Sequence, residues 1–124
     1  LQQFKEIGCS IGSHTITHPI LTKCSGNKLR HEIKYCKTQL EKKLGFKVSH
    51  FAYPSGKYNN EVISITRNSG YETGRTIVPG YVTKKTNPFE LPCMGISDDA
   101  DLSKVILQVS GIWYLTKRLL KTEE

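Results

Sequence analysis

The side chains best equipped for chemistry are two imidazoles four positions apart, His14 and His18, in the run Gly12-Ser13-His14-Thr15-Ile16-Thr17-His18-Pro19. A neutral imidazole offers one ring-nitrogen lone pair to a divalent metal. Two can share one ion, and a catalytic ion also needs a third protein ligand, often a carboxylate, and an open position for water. The residues between the histidines are Thr, Ile and Thr, all β-branched and poor helix formers. Pro19 steers His18 away from helical backbone towards an extended conformation. The pair is therefore expected on a bent loop leaving a strand, with Gly12 making the turn.

Two spaced histidines carry little information without their surroundings. Here the surroundings read Gly8-Cys9-Ser10-Ile11-Gly12-Ser13-His14-Thr15-Ile16-Thr17-His18-Pro19. Two more stretches follow in order, Phe51-Ala52-Tyr53-Pro54-Ser55-Gly56-Lys57-Tyr58-Asn59 and Asn87-Pro88-Phe89-Glu90-Leu91-Pro92-Cys93-Met94-Gly95-Ile96. Together they resemble the motifs of the polysaccharide deacetylases, the NodB-homology domains of carbohydrate esterase family 4. The resemblance runs to about Ile96.

The resemblance implies a fold and a reaction. The fold is α/β, a partial distorted (β/α) barrel with mainly parallel strands. The reaction is hydrolysis of an acetamide on an N-acetylated glycan, with a divalent metal, usually zinc, polarising the carbonyl and orienting water. It makes His14 and His18 metal ligands and gives the backbone N–H of Ser55 to the oxyanion. Pro54 and Gly56 then belong to a groove wall, with Gly56 allowing substrate to come close. Tyr53 and Tyr58 offer rings to a sugar, or to the core. Ser13 and Thr15 either orient the ligands or cap the turn. The family's setting also implies a location outside the cytoplasm or at the cell envelope.

Some expected groups are missing. No Asp precedes His14, where the family's paired carboxylates would stand. Ala52 occupies the place of an Arg that orients the base, and Cys93 the place of another Arg. No counterpart of the late acid histidine is found; His50 reads as a strand-entry residue. Asp98, Asp99 and Asp101 precede a helix, where capping and dipole compensation account for them. The chain starts at Leu1, and Leu1–Glu6 resembles the end of a helix. These features predict a piece of a longer protein, with the Asp pair upstream and no activity in the piece by itself.

The elements that must position these groups follow from periodicity. Cys9–Ser13 reads as a short strand. A helix from Ser25 or Asn27 to Leu44 carries Leu29, Ile33, Cys36, Leu40 and Leu44 on one face, with His31 beside it, and stops at Gly45. Val48–Tyr53 is a strand. Asn59 or Asn60 caps a helix ended by Gly70. Glu72–Val78 and Leu91–Ile96 are strands around a loop from Pro79 to Pro88. Ser97 or Asp98 caps a last helix bearing Leu102, Val105, Ile106, Val109, Trp113, Leu119 and Leu120, followed by a frayed tail over 121–124. Residues 1–124 form one domain with a helical tail from 97. The alternation predicts parallel strands with the site at their C-terminal ends.

Composition bounds the alternatives. The 124 residues are too few for a complete barrel of roughly 250 residues. A barrel lacking strands leaves a sheet edge open to pairing with another copy. The net charge is +7, from 18 Lys and Arg against 11 Asp and Glu. These charges are spread out, which favours a solvated surface over a nucleic-acid interface. No run is apolar enough to span a membrane. Cys9 and Cys36 read as buried free thiols; disulfides are the alternative, and sequence alone does not pair the four cysteines. A catalytically dead glycan-binding domain is the main alternative to a deacetylase. A structural zinc site of Cys9, His14, His18 and Cys24 is a lesser one.

Overall fold

The computed structural model describes residues 2–112. Three parallel strands, β1 (His50–Ala52), β2 (Thr73–Pro79) and β3 (Leu91–Cys93), lie side by side in chain order. His50 is opposite Thr73, Ala52 opposite Arg75, and Arg75 opposite Leu91. The register between β2 and β3 then slips, so that Pro79 meets Cys93. Helix α1 (Gln2–Glu6) precedes the histidine loop; α2 (Gly26–Arg30) and α3 (Cys36–Leu44) lie before β1; α4 (Asn60–Asn68) joins β1 to β2 and α5 (Leu102–Val109) follows β3.

The expected strand over Cys9–Ser13 shrinks to one residue. Only Ser13 pairs, parallel to Phe51: its N–H donates to the His50 carbonyl at 2.8 Å, and its carbonyl accepts from the Ala52 N–H at 2.9 Å. This short tether fixes where the histidine loop leaves the sheet.

The long helix is present but not regular. A single π-helical turn, His31–Tyr35, separates α2 from α3, and Gly45 ends the run. Leu29, Ile33, Cys36 and Leu44 are buried along it, as the apolar spacing predicts. The Asn59 side chain accepts from the Val62 N–H at the start of α4. Asp101, not Ser97 or Asp98, caps α5, because its side chain reaches the N–H three residues on, at Lys104. The expected continuation through Trp113, Leu119 and Leu120, and the tail 121–124, lie outside the described residues.

The two faces of the sheet differ. Phe51 and Tyr53 point into a core with Leu21, Leu29, Ile33, Val48, Val62, Tyr71 and Phe89. The Phe51 ring lies 5.5 Å from that of Tyr53 and 5.1 Å from that of Tyr71. Gly74 stands on the same face of β2. A Cβ there would sit 2.3 Å from the Tyr53 hydroxyl oxygen and 2.9 Å from the Phe89 carbonyl oxygen, so no larger residue fits unless they move. The hydroxyl donates to that carbonyl at 2.9 Å. On the opposite face His50 and Arg75 are exposed, and Thr73 and Ala52 are half-buried.

Candidate functional site

The histidine loop begins where Ser13 leaves the sheet. It turns through left-handed backbone at Thr15 (φ 68°) and His18 (φ 55°). The expectation of an extended His18 and a turn made by Gly12 is corrected here. Pro19 disfavours right-handed helical backbone before it, which leaves the left-handed region accessible. Side-chain bonds stabilise that strained path. Thr15 Oγ1 accepts from the His18 N–H at 3.1 Å, so Thr15 caps the turn. Cys36 Sγ donates to the Thr15 carbonyl at 3.3 Å and accepts from Ser13 Oγ at 3.2 Å.

A buried carboxylate completes this frame. Glu32, within the π turn, is 4% exposed. Its Oε2 accepts from the N–H groups of Ile16 (2.9 Å) and Thr17 (3.0 Å), and its Oε1 from the Thr17 hydroxyl (2.7 Å). Burial pushes the carboxyl pKa upward. Hydrogen bonds from the Thr17 hydroxyl and the two amides outweigh that, with help from the nearby His31, and the result lies below the ordinary 4.5. The motif reading passed over Glu32. One signal was available: it is an acidic residue next to Ile33, on the face that buries Leu29 and Cys36.

The loop sets the two imidazoles side by side and in contact with solvent. Their ring centroids are 4.7 Å apart with planes at 68°. His14 Nδ1 lies 2.7 Å from the Ala52 carbonyl oxygen. A carbonyl only accepts, so Nδ1 carries the proton and Nε2 keeps the lone pair. That tautomer suits a metal ligand. Two imidazoles are two of the donors that a divalent ion would need. Among the described residues no group of three or more His, Cys, Asp or Glu could complete a metal site. That disposes of the Cys9–His14–His18–Cys24 zinc site within this structure. Cys9 is also exposed, not buried as expected, because its segment is not a strand.

The residues after β1 divide. Ser55, with left-handed backbone (φ 53°), is exposed three residues beyond Ala52, the residue His14 leans on. Tyr53 is 2% exposed and Pro54 is buried, so the sugar-facing roles expected of them are corrected to core packing. Strand alternation gives the reason: Tyr53 is two residues from Phe51 and shares its face. Burial also raises the Tyr53 phenol to about 12. Gly56 is half-buried with left-handed backbone, and an added Cβ there would lie 2.2 Å from Cγ1 of Ile77 in β2. Tyr58 is half-buried and stacks on Tyr53 at 5.0 Å. Of the three acids before α5, Asp101 is the cap, and Asp99 lies 3.9 Å from the Lys104 ammonium.

Beside His14, on the open face of the sheet, lies a cavity of about 370 Å³. Ser13, His14, His50, Thr73 and Arg75 are the polar residues that line it, and among the described residues no carboxylate does. His50 Nδ1 is 2.9 Å from Thr73 Oγ1, and Arg75 Nη2 donates to Cys93 Sγ at 3.2 Å. His50 is the first residue of β1, the strand-entry place expected for it.

Comparison with known proteins agrees with this geometry. The family model described as polysaccharide deacetylase matches residues 1–74, more than half of the chain. The YxkH protein of Bacillus subtilis (strain 168) is 28% identical over 99 residues, covering 77% of this chain and 36% of YxkH. Among solved structures, the Streptococcus pyogenes deacetylase PplD in complex with acetate superposes with a TM-score of 0.82 at 27% identity, covering 86% of this chain and 47% of PplD. BC0361, a polysaccharide deacetylase from Bacillus cereus, gives 0.78 at 26%, covering 87% and 34%. The chain thus spans about a third to a half of the length of these relatives.

Proposed function

Because the chain belongs to the polysaccharide deacetylase family, we propose that it supplies the histidine part of a metal-dependent site that removes N-acetyl groups from a glycan. The observation that carries this is the pair of exposed imidazoles 4.7 Å apart, one of them fixed by the Ala52 carbonyl with its Nε2 free. PplD was solved with acetate, the fragment such a reaction releases, which supports the reading.

In this reading His14 and His18 hold a divalent metal, zinc by preference. Bound there, the ion lends Lewis acidity towards the acetamide carbonyl and the attacking water. The Ala52 carbonyl keeps the His14 ring in one tautomer and orientation. The Ser55 N–H is the candidate oxyanion donor, and Tyr58 the remaining candidate for contact with a sugar ring. The third ligand and the base are carboxylates that the described residues do not bring to the pair, so the whole domain is needed for turnover. We place the reaction outside the cytoplasm or at the cell envelope. No helix among the described residues is long and apolar enough to cross a membrane. A second copy pairing at the open sheet edge is a further part of this proposal.

The test is acetate release from an N-acetylated chitooligosaccharide, using the longest natural protein that contains this chain, supplied with zinc. Turnover is expected, and His14→Ala should lower kcat/KM by more than about 100-fold. Among the described residues no third ligand joins the pair, which favours a second reading: a glycan-binding domain without turnover. Oligosaccharide binding with no acetate released would establish that reading in place of the first.

A further inference from the structure

We propose that Glu32 is the positioning residue of the histidine loop, and that the π turn carrying it exists to place its carboxylate under that loop. This rests on the metal-binding reading of His14 and His18.

Three observations converge. First, both carboxylate oxygens are occupied by the loop. Ile16 and Thr17 give their amides and Thr17 its hydroxyl, at 2.7–3.0 Å, so every residue strictly between the histidines except Thr15 is fixed by Glu32. Thr15 is fixed one helical turn further on, through its carbonyl, by Cys36. Second, no Lys or Arg forms a salt bridge with Glu32 among the described residues. A carboxylate this buried is costly unless it is fully hydrogen-bonded, and a packed apolar side chain would serve stability at least as well. What Glu32 supplies is therefore geometry. It holds two consecutive amides pointing inward while the backbone reverses through left-handed Thr15 and His18. Third, the helix departs from regularity at this place. The π turn spans His31–Tyr35, with Glu32 inside it and Cys36 just after it. An extra residue in one turn re-aims the side chains around it, which is why such turns recur at functional sites.

The experiment compares the longest natural protein that contains this chain with its Glu32→Gln variant by NMR. Three signals are followed: the nuclear Overhauser effect between the His14 and His18 rings, hydrogen exchange of the Ile16 and Thr17 amides, and zinc affinity. In the variant the ring-to-ring effect should vanish and those two amides should exchange faster. The amides of Gly45 and Tyr53, bonded within the helix end and the sheet, should keep their protection. Zinc affinity should fall about 10–100-fold. Retention of the ring-to-ring effect and of the Ile16 and Thr17 protection in a folded Glu32→Gln would overturn the proposal.

Should that variant lose the Gly45 and Tyr53 protection as well, Thr17→Val decides. It removes only the hydroxyl bond. It should weaken the ring contact and lower zinc affinity, by roughly tenfold or less; wild-type values for both would refute the role. If the unmodified longest natural protein binds no zinc, the metal reading of the pair fails, and the ring contact in the variants still settles what Glu32 does.

Discussion

His50 and Phe51 are adjacent in β1 and meet opposite surroundings. Phe51 is 1% exposed among Tyr53, Tyr71 and the helices, while His50 is exposed beside Thr73 on the open side of the sheet. The same division runs across the other strands. Gly74 and Thr76 are buried, and Arg75 between them is exposed. One backbone with a two-residue period thus separates structure from chemistry. The face that packs on helices holds the fold. The other face lines the cavity that reaches His14.

The sharpest way to break this contrast is Phe51→Ala. It opens a void in the packed face and should cost about 3–5 kcal/mol. A urea titration would read this as a lower midpoint with an unchanged slope. A gentler probe is alkaline pH. The Tyr53 phenol is raised by burial from 10.0 to about 12, so the folded state resists its ionisation. Tyr71 is raised for the same reason. The sign follows from linkage: stability is intact below 10.0 and is lost as pH climbs through about 12. Thermal melts across that range should show a falling Tm, and Tyr53→Phe should flatten the decline. The smallest effect is expected on the other face. Arg75→Ala removes an exposed side chain that donates to the Cys93 sulfur, so stability should stay within about 0.5 kcal/mol. A larger loss would mean that the open face also supports the fold.

Much of this was readable from residues. The apolar spacing of Leu29, Ile33, Cys36 and Leu44, the stop at Gly45, the Asn59 cap and the parallel alternation all follow from local rules that tertiary packing left intact. The proximity of His14 and His18 was also legible, since the loop between them is short. The path of that loop was not. Left-handed Thr15 is a β-branched type that rarely adopts such backbone, and the residues between the histidines are held by Glu32 and Cys36, which lie 15 or more positions further along. The π turn has no sequence signature at all; the periodicity of its neighbours reads as ordinary helix. Tyr53 was left open between sugar and core for a different reason. The motif reading weighed its ring without the strand period that ties it to Phe51. The cap of α5 was blurred by three nearby acids, and only the reach of Asp101 to the Lys104 amide separates them.

The bond from Tyr53 to the Phe89 carbonyl has one more implication. β1 and β3 are not neighbours; β2 lies between them. A phenol from the residue just after the first strand therefore reaches across the sidechain-free Gly74 of the second to grasp the segment leading into the third. That crossbar pins the alignment of β3, a strand of only three residues with an irregular ladder to β2. Sliding β3 by a single position would strand a hydroxyl in an apolar interior, so a lone tyrosine does the work of indexing that more ladder bonds would do in a longer strand.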